Sequence, residues 1–356
     1  MVLFFVVPPP AGSGLAYYRT AARLRLRKLK GAPLTRIFIA RTTAEMDSLR
    51  PTWKSLYVRQ DSTIFQSFAW NRLAARAFVK TEEPHVVMVT ADSGAAIIPA
   101  AISEDGNRIV LLGDELFDYR DVLAAGDEEP LRRAWGELAK LGLPLSVKAV
   151  RHRCLPHWHG LGIMPFTRAP QVRRAETSAE ELEANHRRLS GLLRRCLRAG
   201  LNIEHCDGRE SKFLRWLYEQ KALQLSGARN NIFASDRRIE FMVAAAAMQP
   251  SRCDIFTLKN GSKVAAALVT FRDRNVRRFY TIYFDREWAR HSPGQVLVYE
   301  VTRLSLAAGL DCDYMTGEQP HKTRLATSSV PLFRAEASPD MLWRAATEPP
   351  TESLAA

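Results

Sequence analysis

The sequence predicts a mixed α/β protein made of two successive halves, each a mostly antiparallel sheet flanked by helices. Its 356 residues exceed one typical domain core. Short apolar strands alternate with amphipathic helices along the chain. Two strands near residue 260 are joined through Asn260-Gly261, a strong hairpin turn. With 46% hydrophobic and 25% charged residues, the chain can bury cores of ordinary size.

The first predicted half covers residues 34–170, and turn and capping signals divide it into elements. Its strands and helices are expected in this order: a strand at 36–40, a helix capped by Thr43 and continuing to Leu56, a helix at 67–78, strands at 85–90, 95–102 and 108–112, and a helix from Pro130 to Leu141.

The second predicted half covers residues 171–338 and contains the clearest strand signals. Its expected elements are a helix at 179–199 ended by Gly200, helices at 213–225 and 237–248, hairpin strands at 254–258 and 264–271, a strand at 277–284, a helix from about 294 to 308, and strands at 313–315 and 331–335. Residues 339–356 are expected to be a tail.

The positive charge is concentrated at the start of the chain. The net charge is +13, and eight basic residues precede Glu45, the first acidic one. Residues 1–33 therefore form a predicted basic arm, and the rest is only mildly basic, which disfavours nucleic acid as the main partner. The arm is interpreted either as a solvated segment or as a peripheral contact with anionic lipid.

Cysteine usage and hydropathy predict a cytoplasmic protein, with the inner membrane as the alternative site of peripheral contact. The five cysteines are scattered and odd in number, as is typical of reduced thiols. No apolar run approaches the roughly 20 residues that span a bilayer. The apolar stretch Val2–Val7 is too short for a signal-peptide core, and its basic residues follow it.

The start of the predicted helix near residue 294 is a candidate phosphate site. The loop before it contains Arg286 and Arg290 and ends in Ser292-Pro293-Gly294. A helix start has unpaired amides and partial positive charge, which suit a phosphate. Many structural helices also begin with such residues, so simple capping is the alternative.

A wider set of motifs resembles the acetyltransferase-like proteins associated with bacterial cellulose and polysaccharide biosynthesis, the CelD/BcsL type. These proteins belong to the GNAT superfamily and are similar to the Fem-type transferases, which pair two GNAT-like halves. The motifs, which cover about residues 40–335, are Phe65-Gln66 with Trp70, Pro99, Asp118-Tyr119-Arg120-Asp121, Val264–Val269, Tyr280–Asp285, Ser292–Gln295, Asp313–Glu318 and His321-Lys322.

The resemblance implies transfer of an acetyl or other acyl group from acyl-CoA to an amine or hydroxyl, without a metal. It assigns donor binding to Arg290, Ser292, Gly294, Gln295 and Val296. The chain lacks the usual glycine-rich phosphate loop of single-domain GNAT proteins. His321-Lys322 stands where the family usually has Tyr-Lys.

Acyl transfer to an amine requires a base for the acceptor and an acid for the leaving thiolate. The catalytic candidates are Glu318, His321 and Asp285, with Lys322 as an electrostatic partner. The candidates for the acceptor side are Asp118, Tyr119, Asp121 and Tyr283. For each of these residues, a structural or surface role is the alternative interpretation.

Two other groups of residues are not assigned to the candidate active site. His152, Cys154, His157 and His159 lie within eight residues, but their spacing matches no common zinc pattern. Five arginines lie on the predicted 179–199 helix, namely Arg187, Arg188, Arg194, Arg195 and Arg198. They form either a solvent-exposed face or a positive surface that attracts an anionic substrate.

Three functions remain open from the sequence. The first is an acyl-CoA-dependent acyltransferase, with a small-molecule or saccharide acceptor, in polysaccharide or envelope biosynthesis. The second is a Fem-like transferase that uses aminoacyl-tRNA. The third is a catalytically silent binding protein of the polysaccharide machinery.

Overall fold

Two sheets, one of four strands and one of eleven, organise the fold. The computed structural model describes residues 35–113, 115–228, 231–248 and 252–348. The predicted basic arm lies outside the described residues. The mixed α/β class with helix-flanked sheets is confirmed.

The elements up to residue 172 are one strand, two helices, six successive strands, a third helix and two more strands. They are β1 (Arg36–Ala40), α1 (Thr43–Arg59), α2 (Phe68–Ala77), β2 (Glu82–Pro84), β3 (Val86–Ala91), β4 (Gly94–Ile98), β5 (Ala100–Ser103), β6 (Ile109–Leu111), β7 (Leu123–Gly126), α3 (Glu129–Ala139), β8 (Leu145–Arg151) and β9 (Gly162–Val172), with 3₁₀ helices at Ile64–Gln66 and His152–Trp158.

The later elements form a helical segment, a three-stranded meander and a final strand and helix. They are α4 (Ala179–Asn185), α5 (Arg187–Arg198), β10 (Asn202–Asp207), α6 (Ser211–Gln224), α7 (Asp236–Ala246), β11 (Arg252–Asn260), β12 (Lys263–Asp273), β13 (Val276–Phe284), α8 (Pro293–Ala307), β14 (Asp311–Asp313), α9 (Pro320–Thr323), β15 (Ser328–Ala337) and α10 (Pro339–Thr347), with a 3₁₀ helix at Arg286–His291.

The eleven-stranded sheet contains strands from both predicted halves. Its order is β10-β11-β12-β13-β14-β9-β15-β8-β6-β5-β2, and the smaller sheet has the order β1-β3-β4-β7. Most pairs are antiparallel; β13–β14 and β6–β8 are parallel. The last strand, β15, pairs with β9 on one side and β8 on the other. The boundary near residue 170 stays a prediction.

The predicted strand at 95–102 is two strands in two different sheets. β4 belongs to the four-stranded sheet and β5 to the eleven-stranded one. Pro99 separates them because proline has no amide to donate to a ladder. Its carbonyl still accepts from the amide of Leu112 at 2.9 Å.

Two helix predictions need correction. Thr42, not Thr43, caps α1, because its hydroxyl accepts from the Glu45 amide at 3.2 Å while the Glu45 carboxylate accepts from the Thr42 amide at 3.1 Å. The predicted 179–199 helix is interrupted at His186, whose φ of −119° and ψ of 41° are not helical. Within the predicted tail, residues 339–347 form α10, with Ser338 as its cap.

Buried apolar side chains form three clusters. One lies beneath α1, α2, α6 and α7, a second beneath α3 and α10, and a third beneath α4, α5 and α8. Trp70 lies at the centre of the first cluster, with its ring edge-on to Phe65 and Phe271. Among the described residues, no helix is long and apolar enough to cross a membrane.

Gly208, between β10 and α6, has no room for a side chain. A Cβ there would overlap the Cys253 side chain and lie 2.8 Å from the Ala246 carbonyl oxygen. We expect Gly208→Ala to lower the free energy of unfolding by about 1–3 kcal/mol through overpacking. Gly191→Ala is the control in urea denaturation: it has open space on α5 and should stabilise by about 0.5–1 kcal/mol. Equal effects of the two changes would contradict this prediction.

Candidate active site

Strands β13 and β14 separate soon after they pair, and this fork is the starting point of the site. β13 pairs with β12 from Val276 to Phe284, except at Tyr280. On its other edge it pairs with β14 only over Val276–Arg278. No other described strand pairs with that edge, so residues 279–284 present a free strand edge to the gap. A free edge offers backbone amides and carbonyls to an extended ligand.

A β-bulge lies at the opening of the fork. Val269 pairs with Thr281 and Thr270 pairs with Phe279, so Tyr280 has no partner on β12. Bulges redirect side chains and are common beside active sites. The Tyr280 hydroxyl donates to the Leu116 carbonyl at 2.6 Å. The bulge is thereby fixed against the 115–122 segment of the first half of the chain.

A cavity of about 890 Å³ occupies the fork. Its lining includes Leu268, Phe279, Ile282, Val298 and Tyr314 of the α8 cluster. It also includes residues of the opposite cluster, beneath α6 and α7, namely Leu116, Phe117, Leu225, Ile232, Phe233, Tyr280 and Met315. The cavity therefore passes through the sheet from one face to the other, between β13 and β14.

Asp118, Thr316 and Lys322 form the polar centre of this cavity. The Thr316 hydroxyl donates to the Asp118 carboxylate, and the Lys322 ammonium donates to the Thr316 carbonyl at 2.7 Å. Burial raises the pKa of Asp118, and the Thr316 hydrogen bond and the charge of Lys322 oppose this shift. Burial lowers the pKa of Lys322. A carboxylate with a raised pKa accepts a proton more readily than an ordinary carboxylate.

His321 lines the same cavity beside Lys322. Burial lowers its pKa, and the positive charges of Lys322 and Lys221 lower it further. The imidazole is therefore neutral at physiological pH and can accept or donate a hydrogen bond.

The backbone is strained at this site. Only four described non-glycine residues have positive φ, and two of them, Ala149 at 59° and Met315 at 64°, line the cavity. A third, Ser292 at 48°, directly precedes α8. Such conformations concentrate at functional sites and persist where the surroundings hold them. At Met315, the Asp313 carboxylate accepts from the strained residue's amide at 2.8 Å.

A buried ion network beneath the fork holds its strands together. Arg278 of β13 pairs with Asp273 at 2.9 Å and also with Asp313 of β14. The Tyr119 hydroxyl donates to Asp313 at 2.7 Å. These side chains are each less than 10% exposed. The network thus joins β12, β13, β14 and the 118–121 segment just below the cavity.

The first turn of α8 lies at the end of the free β13 edge. Val296 is the first residue whose amide pairs within the helix, to the Ser292 carbonyl at 3.1 Å. The amides of Gly294 and Gln295 precede it and emerge at the helix start. A Cβ on Gly294 would lie 3.5 Å from the Phe284 ring and 3.7 Å from Ile282, which lines the cavity. The predicted phosphate site is therefore adjacent to the cavity.

The structure brings some of the sequence-predicted residues together and separates others. Asp118, His321 and Lys322 line one cavity. Ser292, Gly294, Gln295 and Val296 lie at the α8 start beside it, with Val296 buried and Gln295 exposed. Arg290 donates to His291 at 3.0 Å and faces a separate shallow groove with Arg195 and Arg198.

The other predicted residues lie outside the cavity lining. Glu318 is exposed, and Asp285 accepts from the Glu287 amide at 2.9 Å as a helix cap. Asp121 pairs with buried Arg151 at 2.5 Å. Tyr119 belongs to the ion network, and the Tyr283 ring packs edge-on against Trp216.

Sequence reasoning overlooked Thr316 and Lys221 as cavity residues, and it did not assign a role to Tyr280. Thr316 lies within the Asp313–Glu318 motif, directly after a predicted strand, and this position could have identified it as a site residue. Lys221 reaches the cavity from the far end of α6, and nothing in its local sequence indicates this.

The histidine- and cysteine-rich segment forms a 3₁₀ helix at His152–Trp158. Burial raises the pKa of the Cys154 thiol to about 12, and the sulfur accepts from Arg151 at 3.7 Å. The described residues contain no cluster of three or more His, Cys, Asp or Glu suited to a metal ion. Each of the five cysteines is a free thiol.

Comparisons with known proteins agree on the fold. Residues 184–323 match the family model described as an acetyltransferase (GNAT) domain. This part of the chain therefore has the GNAT acyltransferase fold. No curated protein matches the chain.

Three solved structures resemble the whole described fold at low sequence identity, so they show the fold alone. The C-terminal domain of a putative lysylphosphatidylglycerol synthetase from Agrobacterium fabrum is 13% identical, with 85% of this chain and 95% of that chain covered and a TM-score of 0.56. A conserved protein of unknown function from Bacteroides thetaiotaomicron is 9% identical, with coverages of 85% and 99% and a TM-score of 0.58. The L-PGS from Bacillus licheniformis is 8% identical, with coverages of 84% and 97% and a TM-score of 0.54.

Proposed function

We propose that this protein transfers an acyl group from acyl-CoA to an amine or hydroxyl acceptor at the β13–β14 fork. One observation carries the proposal: a cavity with a half-buried carboxylate, Asp118, is lined from both faces of the sheet and lies beside the first turn of α8. A thioester donor and an acceptor can then approach each other from opposite faces. The match of residues 184–323 to the GNAT acetyltransferase family model supports an acyltransferase function.

The residues at the α8 start fit the diphosphate of acyl-CoA. The Gly294 and Gln295 amides supply donors at the positive end of the helix. Arg324 donates to the Gln295 side chain at 3.5 Å, so a cation lies close to the same entrance. The free edge of β13 offers backbone groups for the extended arm of the donor. When bound, acyl-CoA supplies the activated acyl group.

The cavity residues provide proton transfer and charge stabilisation. We assign Asp118 as the base that takes the acceptor's proton, because it is the cavity carboxylate bonded to Thr316 beside Lys322 and burial raises its pKa, which makes it a stronger base than an ordinary carboxylate. Lys322 lies on the other side of Thr316 and stabilises negative charge that develops near the bulge. His321 is neutral and is placed to hydrogen-bond the acceptor, and the proton that Asp118 has taken up can return to the leaving thiolate.

Gly294 provides the test of donor binding. We expect Gly294→Asp to weaken acetyl-CoA binding about tenfold or more in isothermal titration, because its carboxylate repels the diphosphate. The helix itself should not lose stability, since an acidic residue suits a helix start. Gly294→Ala is the matched control, because its methyl group makes only ordinary contacts at 3.5 Å or more.

An aminoacyl-tRNA donor is the second candidate, favoured by one surface. Arg195, Arg198 and Arg290 face a shallow groove of about 530 Å³ next to the α8 entrance. Such a surface attracts a phosphate backbone, and binding to it would weaken steeply with salt. No heat with acetyl-CoA, together with salt-sensitive binding of tRNA, would replace the first proposal with this one.

The finer assignments come from the motifs and the composition of the sequence, and we propose them on that basis. They are the CelD/BcsL type, a role in polysaccharide or envelope biosynthesis, a saccharide or other small-molecule acceptor, and a cytoplasmic location with peripheral membrane contact through the basic arm. A binding protein without turnover is the outcome if acyl-CoA binds and no acceptor is modified.

A further inference from the structure

The part of the cavity on the α6–α7 face has a composition that the donor does not explain. The diphosphate site lies at the α8 start, on the other face. The α6–α7 face nevertheless combines a cation, Lys221, with an apolar wall of Leu225, Ile232 and Phe233. If the donor occupies the α8 face, the acceptor must enter the cavity from the α6–α7 face.

Lys221 lacks a counter-ion in the described part of the chain. Its ammonium donates to the Gln224 side chain at 3.0 Å, and no described carboxylate forms an ion pair with it. Burial lowers its pKa. Lys221 and His321 line the same cavity, and the charge of Lys221 contributes to the lowered pKa of His321. A partly desolvated cation without an ionic partner is costly unless a ligand supplies the anion.

The apolar wall is continuous with this cation. Leu225 follows Lys221 by four residues, so both lie on one side of the α6 terminus. Ile232 and Phe233 come from the connection to α7 and extend the wall, and Phe117 faces the same cavity. Glu115 also lines the cavity, but its carboxylate is paired with Arg238. The other carboxylate of the lining, Asp118, accepts from the Thr316 hydroxyl, and the Thr316 carbonyl accepts from Lys322, so a cation lies beside this acid as well.

We propose that this face is an acceptor subsite for an anionic amphiphile, whose acidic group pairs with Lys221 and whose hydrocarbon part lies on Leu225, Ile232 and Phe233. The acid is a carboxylate or a phosphate. The inference rests on the proposed function only in calling the ligand an acceptor, since binding itself needs no turnover.

Octyl phosphate below its micellar concentration is the probe, titrated into the full-length protein with saturating CoA present to occupy the α8 site. We expect binding at least about tenfold tighter than that of inorganic phosphate, because the chain adds apolar burial. Octyltrimethylammonium should bind much more weakly, because its charge is opposite. Octanoate at matched concentration distinguishes a carboxylate site from a phosphate site.

Two variants locate the binding. Lys221→Gln should weaken octyl phosphate about tenfold, whereas Lys212→Gln, an exposed lysine on the same helix, should leave it unchanged. Ile232→Asn should weaken octyl phosphate but not inorganic phosphate. Equal affinity of wild type and Lys221→Gln, or equal affinity for the cationic probe, overturns the inference. The proposed function is tested separately by acetyl-CoA, which wild type and Lys221→Gln should bind alike.

Discussion

Replacing Asp118 by Asn is expected to lower kcat by about 10²- to 10⁴-fold, the usual range for loss of a general base. Asparagine keeps the shape of the side chain and can still accept from the Thr316 hydroxyl. Acetyl-CoA binding should therefore persist. Steady-state kinetics with titration of the donor would separate the two effects.

The matched control is Glu318→Gln, which removes an exposed acid from the loop that carries Thr316. Its expected rate is that of the wild type. If Glu318→Gln abolished turnover while Asp118→Asn did not, Glu318 would be the base and the assignment of Asp118 would be wrong.

The pH dependence of kcat gives an independent check of the same assignment. Asp118 acts in its charged form, so activity should rise as pH increases through its pKa. Burial places this pKa above the ordinary value of 3.8. The charge of Lys322 lowers the pKa of Asp118, so Lys322→Met should move the acidic limb to higher pH. An unmoved limb would show that a different group titrates.

The second large effect concerns stability. Arg278→Met is expected to lower the free energy of unfolding by about 3–5 kcal/mol, because it leaves Asp273 and Asp313 buried without their cation. Urea denaturation monitored by tryptophan fluorescence would measure the change.

Arg209→Gln is the comparison for this prediction, since Arg209 pairs with Asp207 in solvent. We expect no resolvable change in its unfolding curve. Similar losses of unfolding free energy in both variants would mean that the buried ion network stabilises the protein no more than an exposed ion pair does. Retained stability in Arg278→Met would mean that β13 and β14 are held together by their backbone pairing and packing.

Much of the second half was predictable because its signals are local. The Asn260-Gly261 hairpin, strand β13 and helix α8 follow from turn residues, β-branched runs and a Ser-Pro-Gly start, and the structure has all three. The failures also have physical causes. Pro99 divides one apolar run between two sheets, and the position of β15 between β8 and β9 depends on pairing over a long sequence distance.

The site was harder to predict because it depends on tertiary structure. The sequence indicated Asp118 and Lys322 as candidates, but their link through Thr316 joins residues almost 200 positions apart. The Tyr280 bulge appears only in the strand register. Tyr119, Asp121 and Asp285 resemble site residues in sequence, and the structure engages each in an internal contact.

The place of β15 has a consequence for biosynthesis. Strands β8 and β9 flank it, yet it is made more than 150 residues after β9. Until β15 has been synthesised, the edges of β8 and β9 that pair with it have no partner. Unpaired strand edges tend to associate with other chains. The large sheet can therefore close only after residues 328–337 have been synthesised, and we expect a chain that ends before residue 328 to be prone to aggregate.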